Sequence, residues 1–172
     1  MTVMEAIEKR FSARAWKSYE VEEEKVERLM EAARLAPSAS NRQEWRFVVV
    51  RDAEMRESLG DAARGQKFVG DAPVVIVACA IETGHVMPCG LNCFAIDVAI
   101  AVEHIALAAA AEGLGTCWIG AFDADEVKRL LGMPPDAVVV ALLPVGYPAQ
   151  EPAAKKRLAL DEIVMHERWS GA

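Results

Sequence analysis

The chain has 172 residues, of which 53% are hydrophobic and only 6% aromatic, and its formal net charge at pH 7 is −7. This length fits one domain whose core is built mainly from aliphatic side chains. The acidic balance argues against nucleic acid or an anionic membrane as the general partner, because both attract a basic surface. Any cluster of cations therefore stands out against the rest of the sequence.

The beginning of the sequence and its cysteines favour a cytoplasmic protein. Charged residues interrupt the first apolar pattern, which is unlike a secretory leader. Cys79, Cys89, Cys93 and Cys117 occur in a chain too large to need a disulfide framework, so we expect reduced thiols. His85 is close to two of them, but a three-residue gap between Cys89 and Cys93 and the lack of a second pair differ from the usual zinc pattern. We therefore expect no metal site.

Periodicity and capping signals predict helices and strands in alternation along the first half of the chain. Thr2 followed by Glu5 is a capping-box pattern that opens a short amphipathic helix. Pro37 disfavours helical geometry at Ala36, so the second helix should end there. The other predicted elements are helices over Val21–Leu35 and Ala53–Ala63 and strands over Trp45–Arg51 and Val74–Ile81.

A long helix is predicted from Asn92 to Glu112, where apolar residues cover nearly the whole circumference. A membrane span is disfavoured because charged residues interrupt the pattern. Asp97 and His104 lie seven residues apart on one face, and we expect them to be hydrogen-bonded or interface residues. Burial in the domain core or at a subunit interface follows from this composition.

The second half of the chain is predicted to contain two more strands and one helix. Thr116–Ile119 forms a short strand, and Asp123 with Glu126 opens a helix that ends near Gly132. Ala137–Val145 is a buried strand. A Pro- and Ala-rich extended arm follows it.

Two cationic clusters stand about 140 residues apart. Arg10, Ser12 and Arg14 form an Arg-x-Ser-x-Arg pattern, and Lys155-Lys156-Arg157 follows the arm. Arginine forks bind phosphate oxygens in two-pronged geometry, and a nearby hydroxyl supplies another donor. From these residues alone, a phosphate site and a solvated surface both remain open.

The stretch Ala36–Trp45 is polar and rich in turn residues, although it lies between two strongly patterned elements. Its serines and Asn41 offer hydroxyl, amide and backbone groups to a ligand above the start of the strand. The alternative is a helix end that runs through an ordinary Asx or Ser turn. Composition alone leaves both interpretations open.

Four separated motifs are together more informative than any one of them. They are Arg10-Phe11-Ser12-Ala13-Arg14, the loop Ala36–Trp45, Gly113–Gly120, and Gly146-Tyr147-Pro148 with the later Lys155–Arg157. In this order, over Arg10–Trp169, they resemble the FMN-dependent nitroreductase family in its short form. The resemblance favours phosphate binding for both cationic clusters.

The resemblance implies an α+β fold in which helices wrap a central, mostly antiparallel sheet. Residues 1–172 would form a single domain, with 149–172 as a C-terminal arm. Two such chains would form an intertwined homodimer with two FMN molecules at the subunit interface. Ser40 and Glu44 depart from the glycine and proline that are common at these positions of the family loop.

The resemblance also implies which residues bind FMN. The first motif would hold the phosphate and the pyrimidine edge, the second cationic cluster would close on the phosphate, and the loop would come from the other subunit. Gln66 occupies roughly the position of a family side-chain amide, although its flanking residues match poorly. The implied cofactor-binding residues are Arg10, Phe11, Ser12, Arg14, Pro37, Ser38, Ala39, Ser40, Asn41, Gln66, Trp118, Ile119, Gly120, Lys155 and Arg157.

The chemistry implied by the resemblance is that of the flavin. NADH or NADPH would pass hydride to N5, leave, and be replaced by a small acceptor such as a nitroaromatic or a quinone, in a ping-pong mechanism. No catalytic acid or nucleophile is assigned, because His85, His104 and His166 are isolated in sequence. Only about ten residues, Glu82–Leu91, precede the long helix, which leaves little room for a lid. The alternative function is a flavin reservoir or regulatory module without significant turnover.

Overall fold

The computed structural model describes residues 1–81 and 83–169, which form a four-stranded antiparallel sheet covered by helices on both faces. Glu82 and the last three residues of the predicted arm, 170–172, lie outside the described residues. The strands are β1 (Trp45–Val50), β2 (Val74–Ala80), β3 (Gly115–Thr116) and β4 (Val138–Gly146), in the order β1-β2-β4-β3. The helices are α1 (Val3–Lys9), α2 (Glu23–Arg34), α3 (Ala53–Ala62), α4 (Lys67–Gly70), α5 (Cys93–Ala111), α6 (Ala124–Leu131) and α7 (Leu160–Ile163). The predicted α+β class is confirmed.

Strand β2 divides the core into two layers. Alternate side chains of a strand point to opposite faces, and all seven residues of β2 are buried. Val74, Ile76, Ala78 and Ala80 face the layer that contains α2 and α5, while the residues between them face the layer that contains α3. A strand covered on both faces requires the continuous apolar run that the sequence has here.

Helix α5 is the core helix of the first layer. Within the part of the chain that the structure describes, it is the helix with the length and composition to cross a membrane. It lies inside the protein, however, and packs against α2 and the sheet. Its opposite face carries the partly exposed Ile96. Burial in the domain core is confirmed for nine of its 19 residues, whereas burial on most sides is not reached in the single chain.

The predicted strand Thr116–Ile119 is interrupted after its first residue. Gly115 and Thr116 pair with the end of β4, and Ile119 pairs again with Leu142 in the same register. Between these points Cys117 faces Pro144, which has no backbone N–H to donate, so only one long contact of 3.4 Å forms there. The four-residue helices α4 and α7 were not predicted, because one turn carries no recognisable period.

Candidate cofactor site

The segment after α1 lies against the end of the sheet and joins three of the four motifs. Ser12 bridges to Thr116, and the Ala13 N–H donates to the Thr116 carbonyl at 3.0 Å. The residues on either side of Pro148 bind the other side of this segment. The Tyr147 carbonyl accepts from the Lys17 N–H at 2.8 Å, and the Ala149 N–H donates to the Ala15 carbonyl at 2.9 Å. The first motif therefore runs between the third and the fourth.

Two glycines of these motifs permit this close approach. A Cβ at Gly115 would lie 2.7 Å from the Cβ of Ala13. A Cβ at Gly146 would lie 2.7 Å from Pro73 Cδ and 3.0 Å from the ring of Trp16. Glycine is required at both positions because side-chain atoms of Ala13, Pro73 and Trp16 occupy the space of a Cβ.

The two cationic clusters meet in one cavity of about 240 Å³. The arm that follows β4 turns back over the first motif, and the Lys155 ammonium donates to the carbonyls of Ile7, at 3.2 Å, and Glu8. These carbonyls belong to the last turn of α1, where a cation is favourable. The cavity is lined by Arg10, Phe11, Ser12, Arg14, Gln150, Ala153, Lys155 and Arg157.

Gln150 is a lining residue that the sequence analysis missed. Its Oε1 accepts from the backbone N–H of Arg14 at 3.3 Å and so ties the arm to the first motif. The available signal was a polar amide in an arm otherwise composed mainly of proline and alanine. The Arg14 guanidinium itself lies over the ring of Phe68, 5.9 Å from its centroid.

The pKa of Cys117 is affected by the charged and polar side chains of the first motif. Burial raises the pKa of its thiol, while Arg14, a hydrogen bond with Ser12, and Arg10 act in the opposite direction. Arg10 also faces α5, where its Nε lies 3.8 Å from the Glu103 carboxylate. The third motif thus approaches the cations of the first one directly.

Trp118, Ile119 and Gly120, which were also predicted to bind FMN, come shortly after β3. Trp118 is 42% exposed, whereas Ile119 is buried and bonded to β4. Gln66 Nε2 donates to the carbonyls of Ala63, at 2.8 Å, and Ala121, at 3.3 Å. Gln66 is therefore bonded to the residue that follows Gly120, although 55 residues separate the two partners in sequence.

The loop of the second motif is built around a 3-10 turn over Ala39–Asn41. Ser40, Asn41 and Gln43 all have positive φ, at 52°, 53° and 54°. The Ser38 hydroxyl accepts from the Gln43 N–H at 3.0 Å. This geometry is an ordered turn with left-handed residues, and it follows the end of α2 as predicted.

The structure does not bring this loop into the 240 Å³ cavity of the same chain. The Ala39 N–H contacts Asp97 on α5, while Arg10 contacts Glu103 on the same helix. Six residues of a helix advance by roughly 9 Å and about 240° around the axis. The loop and the first motif therefore lie on different faces of α5.

His85 is joined by a backbone hydrogen bond to Cys93, at the start of α5. The Cys93 N–H donates to the His85 carbonyl at 3.1 Å, and all four cysteines are free thiols. Burial, Asp97 and Glu44 raise the pKa of the Cys93 thiol, while Cys89 is exposed. Such a buried thiol is a poor nucleophile.

A cavity lined by three arginines, a lysine, a hydroxyl and an amide has the chemistry of a phosphate-binding site. The residues present fit the phosphate of a nucleotide cofactor, because four cationic side chains line the cavity in a protein whose net charge is −7. An α+β fold with this site at one end of its sheet defines a class of cofactor-dependent proteins.

Comparisons with known proteins specify the class. The model of the nitroreductase family matches residues 7–75 and 62–147. A protein of Methanothermobacter thermautotrophicus named as an NADH dehydrogenase/NAD(P)H nitroreductase is 34% identical over 98% of this chain and 88% of its own length. An FMN reductase [NAD(P)H] of Bacillus subtilis is 31% identical over 91% of this chain and 69% of its own length.

A solved structure shows the same fold. The NADPH:FMN oxidoreductase of Vibrio harveyi, complexed with NAD+, superposes with a TM-score of 0.91 at 27% identity, covering 99% of this chain and 79% of that one. The chain belongs to the nitroreductase family. The resemblance inferred from the four motifs is confirmed.

Proposed function

We propose that this chain is an FMN-dependent oxidoreductase that uses NADH or NADPH to reduce small oxidised acceptors, including nitroaromatics and quinones. The observation that carries the proposal is the single cavity in which the two distant cationic clusters meet. The names of the Bacillus subtilis and Vibrio harveyi relatives support FMN and a nicotinamide as its reaction partners.

The lining residues of the cavity would hold the phosphate end of FMN. Arg10, Arg14 and Arg157 supply guanidinium forks, and Ser12 supplies a hydroxyl. Lys155 is already fixed against the end of α1, so its charge is positioned without further ordering of the arm. Phe11 gives this cavity an apolar wall.

The ring of the flavin would extend from this cavity toward the loop after β3. Trp118, Ile119 and Gly120 follow shortly after Thr116, to which Ser12 bridges, and the Gln66 amide donates to Ala121 directly after them. When bound, FMN supplies hydride acceptance at N5 and electron transfer to the acceptor. The task of the chain is to orient the cofactor and stabilise negative charge near it, which is electrostatic preorganisation.

A homodimer would complete the pocket. The loop residues Pro37, Ser38, Ala39, Ser40 and Asn41 lie on another face of α5 from the cavity, which supports their use in the pocket of a second chain. Large apolar side chains of α1 and of the arm are exposed to solvent in the single chain, which supports the same assembly. Those more than 40% exposed are Val3, Met4, Ile7, Leu158, Leu160, Ile163, Val164 and Trp169.

Residues 1–172 would act as one domain whose arm, 149–172, wraps the second chain. We place this enzyme in the cytoplasm, since its core helix α5 is buried within the fold rather than available to a membrane. The alternative is a flavin reservoir or regulatory module without significant turnover.

Steady-state kinetics tests the proposal. Protein loaded with FMN should oxidise NADH or NADPH in the presence of a nitroaromatic or a quinone, and double-reciprocal plots should give the parallel lines of a ping-pong mechanism. Protein that binds FMN but transfers no electrons to any acceptor would favour the reservoir. Protein that takes up no FMN would contradict both functions.

A further inference from the structure

Asp97 is a buried charge in the otherwise apolar middle of α5. Its exposure is only 3%, and a buried carboxylate is costly unless hydrogen bonds compensate it. Among the described residues, its hydrogen bonds come from the backbone N–H of Ala39, which lies 3.2 Å from Oδ1 and 3.1 Å from Oδ2. The partner of this carboxylate is thus the first residue of the turn in the second motif.

The turn that Asp97 holds is strained. Ser40, Asn41 and Gln43 adopt left-handed backbone without being glycine. Such conformations persist only where the surrounding structure fixes them. The Ser38 to Gln43 contact lies within the loop, whereas Asp97 belongs to the rigid core helix.

His104 holds the chain just before this loop. Its Nδ1 lies 3.1 Å from the carbonyl of Ala32, in the last turn of α2. His104 and Asp97 are seven residues apart, so they lie on one face of α5. Helix α5 therefore contacts the chain on both sides of Leu35-Ala36-Pro37-Ser38, through Ala32 before this segment and Ala39 after it.

We propose that Asp97 is a positioning residue that fixes the loop Pro37–Asn41 in the geometry needed at the FMN pocket of the partner chain. The inference rests on the proposed function, because the loop is a cofactor loop only if FMN is bound. Asp97 acts through Ala39, and its charge strengthens the hydrogen bond from the Ala39 N–H. A preorganised loop spares FMN the cost of ordering it.

Asp97→Asn is the direct test, because the amide keeps the volume and removes the charge. Asp52→Asn is the matched control. Asp52 also accepts from a backbone N–H, that of Met55 at 2.9 Å, but it caps α3. The readouts are amide hydrogen exchange of Ala39–Gln43 without FMN, the Kd for FMN, and kcat at saturating FMN.

The proposal predicts faster exchange confined to the loop, FMN binding weakened by about tenfold, and kcat within about twofold of wild type. Asp52→Asn should change neither the loop exchange nor the Kd. Wild-type exchange and wild-type Kd in Asp97→Asn would overturn the proposal. If that variant fails to fold, Asp97→Asn with Ser40→Gly supplies the comparison, since glycine adopts left-handed backbone without strain. Wild-type protein that binds no FMN would contradict the proposed function, while loop exchange would still decide whether Asp97 anchors the loop.

Discussion

At the scale of single residues, the cavity depends on cations that the fold brings together from both ends of the chain. Arg10 is the best test of this arrangement, because its side chain is only 26% exposed and faces the cavity. The sequence identified each cation by type and by motif. Their meeting in one cavity could not be deduced from spacing, because it depends on how the arm folds back over the first motif.

Arg10→Ala should weaken FMN binding by about 1.5 to 3 kcal/mol, or about 10- to 150-fold in Kd, because a charge-assisted phosphate contact is lost. Fluorescence titration of FMN into the cofactor-free protein measures the change. Arg129→Ala is the control, since Arg129 is 68% exposed and paired with Glu126. Unchanged FMN affinity in Arg10→Ala would remove this residue from the site.

Gly115→Ala should destabilise the protein by about 1 to 3 kcal/mol, because the added methyl would collide with Ala13 and push the first motif away from β3. Urea unfolding monitored by circular dichroism measures the loss. Gly84→Ala is the control, since a Cβ there would meet no atom within 4 Å. Equal stability of the two variants would show that the segment at Ala13 can move freely.

At the scale of elements, a polar network joins the start of α2 to the end of β4. The Tyr147 hydroxyl donates to the Glu22 carboxylate at 2.7 Å, and the Lys25 ammonium donates to the same hydroxyl at 2.7 Å and to the Glu112 carbonyl at 3.1 Å. The hydrogen bond that Tyr147 donates lowers the pKa of Glu22, and the hydrogen bond that Lys25 donates to the Tyr147 hydroxyl raises the pKa of Lys25. The network therefore fixes the strand end against which the first motif lies.

Tyr147→Phe should lower the free energy of unfolding between these two titrations. The contribution of Glu22 is present above the ordinary carboxyl pKa of 4.5 and is lost as pH falls through its lowered pKa in the folded protein. The contribution of Lys25 is present below 10.5 and is lost as pH rises through its raised pKa. Urea unfolding across this pH range measures the difference between wild type and variant.

Tyr19→Phe is the control for this pH series, because Tyr19 packs edge-on against Tyr147 with ring centroids 6.1 Å apart and is 60% exposed. Its loss of stability should be small and independent of pH. A Tyr147→Phe deficit that persists unchanged into acid would show that packing, rather than the network, accounts for it.

The predictability of the elements follows from what defines them. β2 was predicted because a strand buried on both faces requires an apolar run, and α5 because apolar residues cover most of its circumference. The break in the pairing of β3 was missed because it arises from Pro144 on the neighbouring strand. The left-handed path of Ser40 was missed for a similar reason, since the preceding residue, Ala39, is hydrogen-bonded to Asp97, 58 positions further along the chain.

At the scale of the whole molecule, the proposed cofactor loop of one chain does not reach the cavity of the same chain. The apolar residues of α1 and of the arm remain uncovered in the single chain. Both observations support the proposed dimer, in which each loop would complete the other pocket. No pattern within the sequence defines this arrangement, which in the sequence analysis came only from the family resemblance.

Dimerisation and FMN binding should therefore be linked. Sedimentation velocity over a dilution series should show a dimer, and the FMN affinity measured at the same concentrations should fall where the dimer dissociates. A shortened chain that ends at residue 157, without the apolar part of the arm, should dissociate at higher concentration. A monomer that binds FMN as tightly as the dimer would contradict the shared pocket.

Hydride transfer from a nicotinamide to FMN held by this chain can be observed by anaerobic rapid mixing. FMN-loaded protein is mixed with NADH and, separately, with NADPH, and the absorbance of oxidised flavin is followed. Bleaching is expected with at least one donor, at a rate far above that of free FMN under the same conditions. A yellow protein that neither donor bleaches faster than free FMN would contradict the proposed hydride transfer.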